Sequence, residues 1–349
     1  MALEERGHEI RKLQSTGGST FTISLPKPWV INYALNAHDP LRIDWRPSGA
    51  LRITPLDMIE KGLQKAYFSI NKLPENSLHD HLMGAYISGA DIIRIDFESE
   101  AKKQTGLQIR RFLRSTRGFE IFQEDERGVE LMCIINAGDM PLHASLNRMY
   151  LLVTSLVKDV LGVFEGEDRD YLNDAEERES EVDSLLYLIE RQVRVLLDSH
   201  KVATSLQLSR TQAIEYSNLA RSLERMMDHS YSLSTLVHEN PKLTSNLIGV
   251  TSLEQLPIWQ QSLKELMINI RTKDSVRIES ARNNLKKSQK VLIAYEQDLL
   301  KNHRQNEWMA FGLSFSESVR RLCAYARDFG EILLNMMVFG ELTQTSRKD

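Results

Sequence analysis

Only two cysteines, Cys133 and Cys323, occur among the 349 residues, and they are far apart in the sequence. Both stand in apolar surroundings, so we expect buried, reduced thiols and no disulfide framework. No apolar run approaches the roughly 20 residues that a membrane-spanning helix needs. The first ten residues are rich in glutamate and lack the apolar core of a secretory signal. We therefore expect a cytoplasmic protein with no segment inserted in a membrane.

Motifs of enzymes are also missing. The chain has no nucleophile motif, no glycine loop that would cradle a phosphate, and no His and Cys residues at zinc spacing. Charged residues make up 26% of the chain and the formal net charge is −4. This balance argues against a protein that coats nucleic acid or membrane along its whole length, although it leaves room for local basic patches. We expect no enzyme, and the length predicts two or three domains.

The N-terminal segment has the pattern of short strands. Phe21, Ile23 and Leu25 alternate with polar residues, and Gly17-Gly18 marks a turn between this strand and the one before it. Two further strands are predicted at Leu41–Trp45 and Leu51–Thr54. A few short strands bury little surface alone, so we expect this segment to dimerise.

The middle segment mixes helix and strand signals. The apolar spacing predicts a helix over residues 57–73, a strand over 92–97 and a helix over 107–117, followed by a hairpin. The second helix carries a run of basic residues, which either contact phosphate or DNA or form a solvated face paired with neighbouring acids. These residues are Arg110, Arg111, Arg114 and Arg117.

From Pro141 onward the apolar spacing is helical throughout. Residues 165–183 hold ten acidic residues against two basic ones, which predicts a strongly acidic surface that repels DNA and attracts cations. The predicted helices cover 146–163, 172–200, 208–238, 258–302 and 306–340.

Two acidic pairs occur at the spacing of one helical turn. Glu224 and Asp228 are four residues apart beside a stripe of leucine and methionine, and Glu179 and Asp183 repeat the spacing on the preceding helix. If these helices pack antiparallel, four carboxylates meet at one seam, and such an oxygen-rich site suits magnesium, manganese or iron. The alternative is that all four side chains face water.

The stretch Leu223-Glu-Arg-Met-Met-Asp-His229 resembles the signature of PhoU domains, which are phosphate-regulatory helical bundles. The resemblance continues through Glu179-x-x-x-Asp183 and Ile189-Glu-Arg-Gln192 and covers about 171–238. It implies tandem three-helix bundles whose acidic pairs bind metal ions. Glu179, Asp183, Glu224 and Asp228 are therefore the expected ligands of a divalent or iron-type ion.

The second predicted bundle departs from that pattern. Aligning Val319–Tyr325 with Leu223–His229 places Arg320 at the position of Glu224 and Ala324 at that of Asp228. A second metal cluster is therefore in doubt, and we expect this region to pack against the first bundle.

The N-terminal segment resembles the swapped-hairpin SpoVT/AbrB family through Gly17-Gly-Ser-Thr20, Ile23-Ser-Leu-Pro-Lys-Pro-Trp29 and Asp39-Pro-Leu-Arg-Ile43. The resemblance implies an interleaved homodimer that binds DNA through basic residues. Residues 10–52 contain six bases and two acids, which agrees with phosphate contacts. The predicted DNA-binding residues are Arg11, Lys12, Lys27 and Arg46.

Together these observations predict an α+β multidomain protein. An N-terminal swapped-hairpin β domain, a small α/β connector and two tandem all-α three-helix bundles follow one another. The predicted boundaries are 1–55, 56–140, 141–245 and 246–349.

The function expected from the resemblances is a DNA-binding transcriptional regulator of phosphate uptake or metabolism with a metal-binding helical sensor. Its expected partners are double-stranded DNA, a second copy of the chain, and components of a phosphate transporter or sensor kinase. One alternative is a dimeric adaptor that acts on the phosphate transport or signalling machinery and never binds DNA. Another is a metal-sensing regulator outside phosphate physiology.

Overall fold

The structure is a computed structural model that divides the chain into two compact units, residues 1–64 and 65–349. The described residues are 10–18, 20–45, 50–56, 63–242, 250–302 and 307–345.

The N-terminal unit consists of two antiparallel hairpins and a short helix. Strand β1 (Gln14–Thr16) pairs with β2 (Thr20–Thr22), and Gly17 and Gly18 between them adopt left-handed φ angles of 67° and 82° that favour glycine. Helix α1 (Lys27–Asn32) follows Pro26. Strand β3 (Leu41–Trp45) then pairs with β4 (Leu51–Pro55). Both predicted strand pairings are confirmed, but β2 ends at Thr22, before Ile23 and Leu25, and it is exposed throughout instead of burying one face.

The described part of this unit has no apolar core of its own. Pro55 is its one buried residue, whereas large apolar side chains on both hairpins and on α1 are exposed. Burial of such surface contributes roughly 25 cal/mol per Å² to stability, and the described part of this unit leaves it exposed. The large apolar residues of this unit that are more than two fifths exposed are Ile10, Leu13, Phe21, Ile23, Ile31, Tyr33, Ile43, Leu51, Leu56 and Leu63.

The second unit begins with a four-stranded mixed sheet in the order β5-β6-β8-β7. The first two strands are parallel and the others antiparallel. Helices α2 and α3 cover one face and bury a core that includes Tyr86, Ile93, Phe112 and Leu131. The elements are β5 (Lys65–Ser69), α2 (Leu78–Ile87), β6 (Ile92–Asp96), α3 (Lys102–Ser115), β7 (Phe119–Glu124) and β8 (Gly128–Cys133).

The helix predicted over residues 57–73 is wrong where the structure describes it. Residues 57–62 lie outside the described residues, but 65–69 form β5 and a single 3-10 turn follows at Ile70–Lys72. Parallel pairing with β6 places Ala66 and Phe68 against the core and leaves Tyr67 67% exposed. The alternation of strand side chains therefore fits this segment better than the helical spacing that the sequence suggested.

The rest of this unit is helical, as predicted. The long helices share one continuous apolar core, so the two predicted bundles are packed together rather than separated. No helix in the described ranges has the length and apolar content that crossing a membrane requires. The helices are α4 (Leu142–Glu165), α5 (Ala175–Asp198), α6 (His200–Ser205), α7 (Arg210–Glu239), α8 (Val250–Thr272), α9 (Ser275–Asn302) and α10 (Glu307–Thr345).

The single helix predicted over 258–302 is in fact two helices, α8 and α9. Lys273 between them has a φ of 52°, which interrupts the helical backbone. The Asp274 carboxylate accepts hydrogen bonds from the backbone N–H groups of Val276 (3.0 Å) and Arg277 (3.1 Å), so it caps the N-terminus of α9. The apolar spacing continues across the break, which is why periodicity alone did not reveal it.

Candidate functional site

Helices α5 and α7 pack against each other along apolar stripes. Leu219, Leu223 and Met226 of α7 are fully buried, and Val182 and Ile189 of α5 belong to the same core. Helix α7 begins with a capping box in which the side chains and backbone N–H groups of Ser209 and Gln212 bond reciprocally. A stable start and a continuous apolar stripe thus hold α7 in register with α5.

Ion pairing confirms that the two helices run antiparallel. An Arg221 guanidinium nitrogen of α7 lies 2.5 Å from a Glu190 carboxylate oxygen of α5. Glu179 lies eleven residues before Glu190, and its pKa is raised in part by the charge of Asp228, which is seven residues after Arg221. Residues earlier in α5 therefore lie next to residues later in α7. This antiparallel arrangement brings the two acidic pairs to one seam.

The four carboxylates influence one another across this seam. Glu179, Asp183 and Glu224 are partly buried, whereas Asp228 is exposed. Burial first, and then the charges of Asp228 and Asp183, raise the pKa of Glu224 to about 7. Burial first, and then the charges of Glu179 and Asp228, raise the pKa of Asp183 to about 6. Like charges in a poorly solvated setting disfavour ionisation, so this seam favours either protons or an external cation.

Reduced solvation by the surrounding protein is also the first cause of the raised pKa values at the other two carboxyls. For Glu179 the charge of Asp228 adds to this effect. For Asp228 the positive charges of the neighbouring His229 and Arg225 oppose it. Of these two residues, only Glu179 therefore shows repulsion by another carboxylate of the seam.

No described residue forms an ion pair with any of the four carboxylates. The two nearest arginines are engaged elsewhere, because Arg221 pairs with Glu190 and Arg225 lies over the Tyr325 ring, 5.5 Å from its centre. Within the described ranges, no three or more His, Cys, Asp or Glu side chains are arranged as a ready-made metal cage. The donor set is oxygen only, which suits a hard cation, while metal coordination itself stays a prediction.

Tyr187 is a member of this region that the sequence reasoning missed. Burial and then the charges of Asp183 and Glu224 raise the pKa of its phenol. Its ring also packs against the core of the α/β sheet, so it lies between the seam and the sheet. The available signal was its position one helical turn after Asp183 on the same face of α5.

The stretch Ile189-Glu-Arg-Gln192 anchors α5 to its neighbours. Arg191 is 3% exposed, and its guanidinium donates to the Tyr86 carbonyl oxygen at 2.8 Å and lies over the Tyr86 ring. Gln192 donates to the carbonyl oxygens of Ala137 (2.8 Å) and Met140 (2.7 Å). Buried polar side chains at this density fix one orientation of the helix. The helix that carries two of the carboxylates is therefore rigidly joined to the α/β sheet.

The corresponding region of α10 carries an internal ion pair in place of a carboxylate seam. Arg320 donates from Nε to the Glu296 carboxylate of α9 at 3.0 Å, and the Ser316 hydroxyl also donates to it at 3.0 Å. Tyr325 stacks on His229 of α7 with ring centres 5.7 Å apart. The expected loss of acidic residues in the second bundle is thus accompanied by a satisfied arginine and by direct packing on the first bundle.

The predicted DNA-binding residues belong to the N-terminal unit. Arg11, Lys12 and Lys27 are exposed, the first two just before β1 and the third at the start of α1. Arg46 lies outside the described residues. Exposure of basic side chains near a glycine turn is compatible with phosphate contacts, but DNA binding stays a prediction.

Comparison with known protein families adds one match. Residues 146–237 match the PhoU domain. The match spans roughly a quarter of the chain, from α4 to α7, and contains all four carboxylates of the seam. It does not extend to the N-terminal unit or to α8, α9 and α10. Among curated proteins, none matches this chain.

Proposed function

We propose that this chain is a DNA-binding transcriptional regulator of phosphate uptake or metabolism, with a metal-binding helical half that senses the signal. The observation that carries the proposal is the PhoU match over the helices that hold the four carboxylates. A role in phosphate homeostasis follows from that domain. The proposal places the protein in the cytoplasm and gives it no catalytic activity.

The metal part of the proposal rests on the charge state of the seam. Glu179, Asp183, Glu224 and Asp228 present oxygen ligands that form no ion pair with a described residue. Their raised pKa values reflect burial first and, at all but Asp228, the charges of the other carboxylates. Mg²⁺, Mn²⁺ and iron ions accept such ligands. A bound cation would supply the positive charge that the seam lacks. These residues would then hold it between α5 and α7 and stiffen their contact.

The DNA part of the proposal rests on the N-terminal unit. Its exposed apolar residues, among them Phe21, Ile31 and Ile43, support a homodimer in which a second copy covers them. The basic residues Arg11 and Lys12 would then occur twice on one surface, next to the glycine turn, and would contact phosphates. Lys27 and Arg46 are the further candidates for DNA contact.

Two alternatives use the same residues differently. In the first, the N-terminal unit serves only for dimerisation, and the protein is an adaptor that binds phosphate transporter or sensor-kinase components. In the second, the protein is a metal-sensing regulator outside phosphate physiology, which requires a DNA affinity that changes with the metal. Both regulator hypotheses require DNA binding, whereas the adaptor hypothesis does not.

The test is a gel shift of the full-length protein on duplex DNA from its own promoter region at low and moderate salt. Arg11→Ala/Lys12→Ala is compared with Lys286→Ala/Lys287→Ala, an adjacent pair of exposed lysines on α9. Specific binding that weakens with salt and is lost only in the first variant supports the regulator. If no shift is seen at low salt, the regulator hypothesis fails and the adaptor hypothesis takes its place. Repeating the titration with Mn²⁺, Mg²⁺ and inorganic phosphate separates the two regulators.

A further inference from the structure

Helix α3 has a sharply divided surface. Thr105, Ile109 and Phe112 are buried against the sheet. At 100° per residue, the exposed basic residues occupy an arc of about 100° on the opposite side. We call these residues the α3 basic face: Lys103, Arg110, Arg111 and Arg114.

The α3 basic face forms no ion pair within the described part of the chain, although Arg114 lines a surface cavity together with Glu176, Glu177 and Glu181. Two neighbouring basic residues do form ion pairs. Lys102 pairs with Glu124 at 3.7 Å, and Arg117 pairs with Glu181 at 3.3 Å. None of the four residues of the face forms an ion pair with a described residue, and α3 itself contains no acidic residue. The face is therefore a row of basic side chains without ion-pair partners among the described residues. The helix that carries them is held in place because Phe112 and Ile109 pack against the sheet.

We propose that the α3 basic face binds the phosphate backbone of duplex DNA, as a second contact surface besides the N-terminal unit. This inference rests on the proposed DNA-binding function and extends it to a part of the molecule outside the predicted DNA-binding domain. Guanidinium groups suit phosphates because they donate in a planar fork. The contacts would position the protein on DNA and would carry no sequence information.

The dimensions of the face match a polyanion. From Lys103 to Arg114 the helix rises about 16 Å, at roughly 1.5 Å per residue. Duplex DNA carries one negative charge per about 1.7 Å of its axis when both strands are counted, so a duplex of this length carries about ten phosphates, and four side chains need only part of them. The four basic side chains of the face can therefore contact phosphates at the same time without requiring a particular phosphate spacing.

The composition of the face argues against a protein partner. Interfaces between proteins bury aromatic and apolar residues at their centre and leave charges to the rim. On the exposed arc of α3, Leu107 is the one large apolar side chain, 57% exposed, and it is surrounded by cations. An acidic segment of a second copy would find charge here but almost no apolar surface to bury. A phosphate backbone needs charge alone.

The experiment measures the dissociation constant of the full-length protein for duplex DNA over a range of salt concentrations. The test variant is Arg110→Gln/Arg111→Gln/Arg114→Gln. The matched control, Lys286→Gln/Lys287→Gln/Lys290→Gln, removes three exposed positive charges at the same spacing on α9. Promoter DNA and unrelated DNA of equal length are compared, and sedimentation velocity monitors the oligomeric state.

Each phosphate contact contributes about 0.9 to the slope of log affinity against log salt, so the test variant should lose about 2.7 of that slope. Its affinity deficit relative to wild type should then shrink roughly 40-fold between 50 and 200 mM salt. The deficit should be the same on promoter and unrelated DNA, and the control should retain the wild-type slope.

The outcomes separate this inference from the function on which it rests. If wild-type protein binds no DNA at low salt, the proposed function and this inference both fail. If wild type binds and the test variant keeps its slope, only the inference fails. Equal losses in the test and control variants would mean that overall charge is responsible, and a changed oligomeric state in the test variant would assign the face to a second copy. Either result overturns the inference.

Discussion

The corresponding stretches of α7 and α10 both pack in the helical core, but they carry charges of opposite sign at the matching position. On α7, Glu224 and Asp228 face two further carboxylates of α5 and form no ion pair with a described residue, although the charge of Arg225 acts on both. On α10, Arg320 takes the position of Glu224 and pairs internally with Glu296. The carboxylates of the first region form no ion pair with a described residue, while the arginine of the second region is paired within the chain. The difference teaches that the same helix position can carry opposite charge when a partner residue on a neighbouring helix changes with it.

The largest expected effect comes from supplying the missing charge. At a Mn²⁺ concentration of 100 times its Kd, binding to the native seam should raise the free energy of unfolding by about 2.7 kcal/mol. Asp183→Asn/Glu224→Gln should abolish this gain. Urea unfolding with and without Mn²⁺ measures it. Glu254→Gln, an exposed acid on α8, is the control. If Mn²⁺ stabilised the wild type, the double variant and the control equally, the metal would bind elsewhere. The difference in charge between the two helical regions would then have no bearing on metal binding.

Breaking the internal pair should be the next largest effect. Arg320→Gln leaves the Glu296 carboxylate, 17% exposed, without its cation, and we expect a loss of about 2 kcal/mol in unfolding free energy. The neighbouring Arg321→Gln is the control, because Arg321 and its partner Glu317 are both well exposed and should contribute less than about 0.5 kcal/mol. Glu296→Gln added to Arg320→Gln should recover much of the loss. A similar cost for both arginines would contradict the internal pairing.

The pH dependence sharpens the comparison further. Because the folded pKa values of Glu224 (about 7) and Asp183 (about 6) lie above their ordinary values, the folded state binds more protons than the unfolded state between those limits. The stability of metal-free protein should therefore fall as the pH rises from about 4 to about 7. Glu224→Gln should flatten this fall and stabilise the protein by about 1–2 kcal/mol at about pH 8, after allowance for solvent screening. Urea unfolding across this range tests it, and an unchanged slope would exclude the strained seam.

The smallest expected effect lies where the two halves touch. Tyr325 stacks on His229 and lies beneath the Arg225 guanidinium. Tyr325→Leu keeps apolar volume but removes both contacts, and we expect a loss of about 1 kcal/mol in unfolding free energy. In double-mutant cycles with Arg225→Gln and with His229→Leu, coupling energies near zero would mean that the two halves merely adjoin at these side chains.

Much of the candidate site could be read from spacing alone. Residues four apart on a helix share a face, so Glu179 with Asp183 and Glu224 with Asp228 had to form two pairs, and the leucine and methionine stripe between them predicted a packed seam. The alternation of Phe21, Ile23 and Leu25 likewise predicted a strand in the N-terminal unit. By contrast, Lys65–Ser69 was misread as helix because short apolar runs satisfy either periodicity.

The sequence by itself determined which faces of the helices are apolar and that two acidic pairs lie beside them, because local geometry sets these faces residue by residue. Only the tertiary structure decided that α5 and α7 run antiparallel, that Arg320 pairs with Glu296, and that Arg110 and Arg111 form no ion pair with any residue that the structure describes. Those outcomes depend on which distant segments meet, and charge spacing within one helix contains no information on that. The physical reason is that burial and pairing are properties of contacts between elements, whereas periodicity is a property of one element alone.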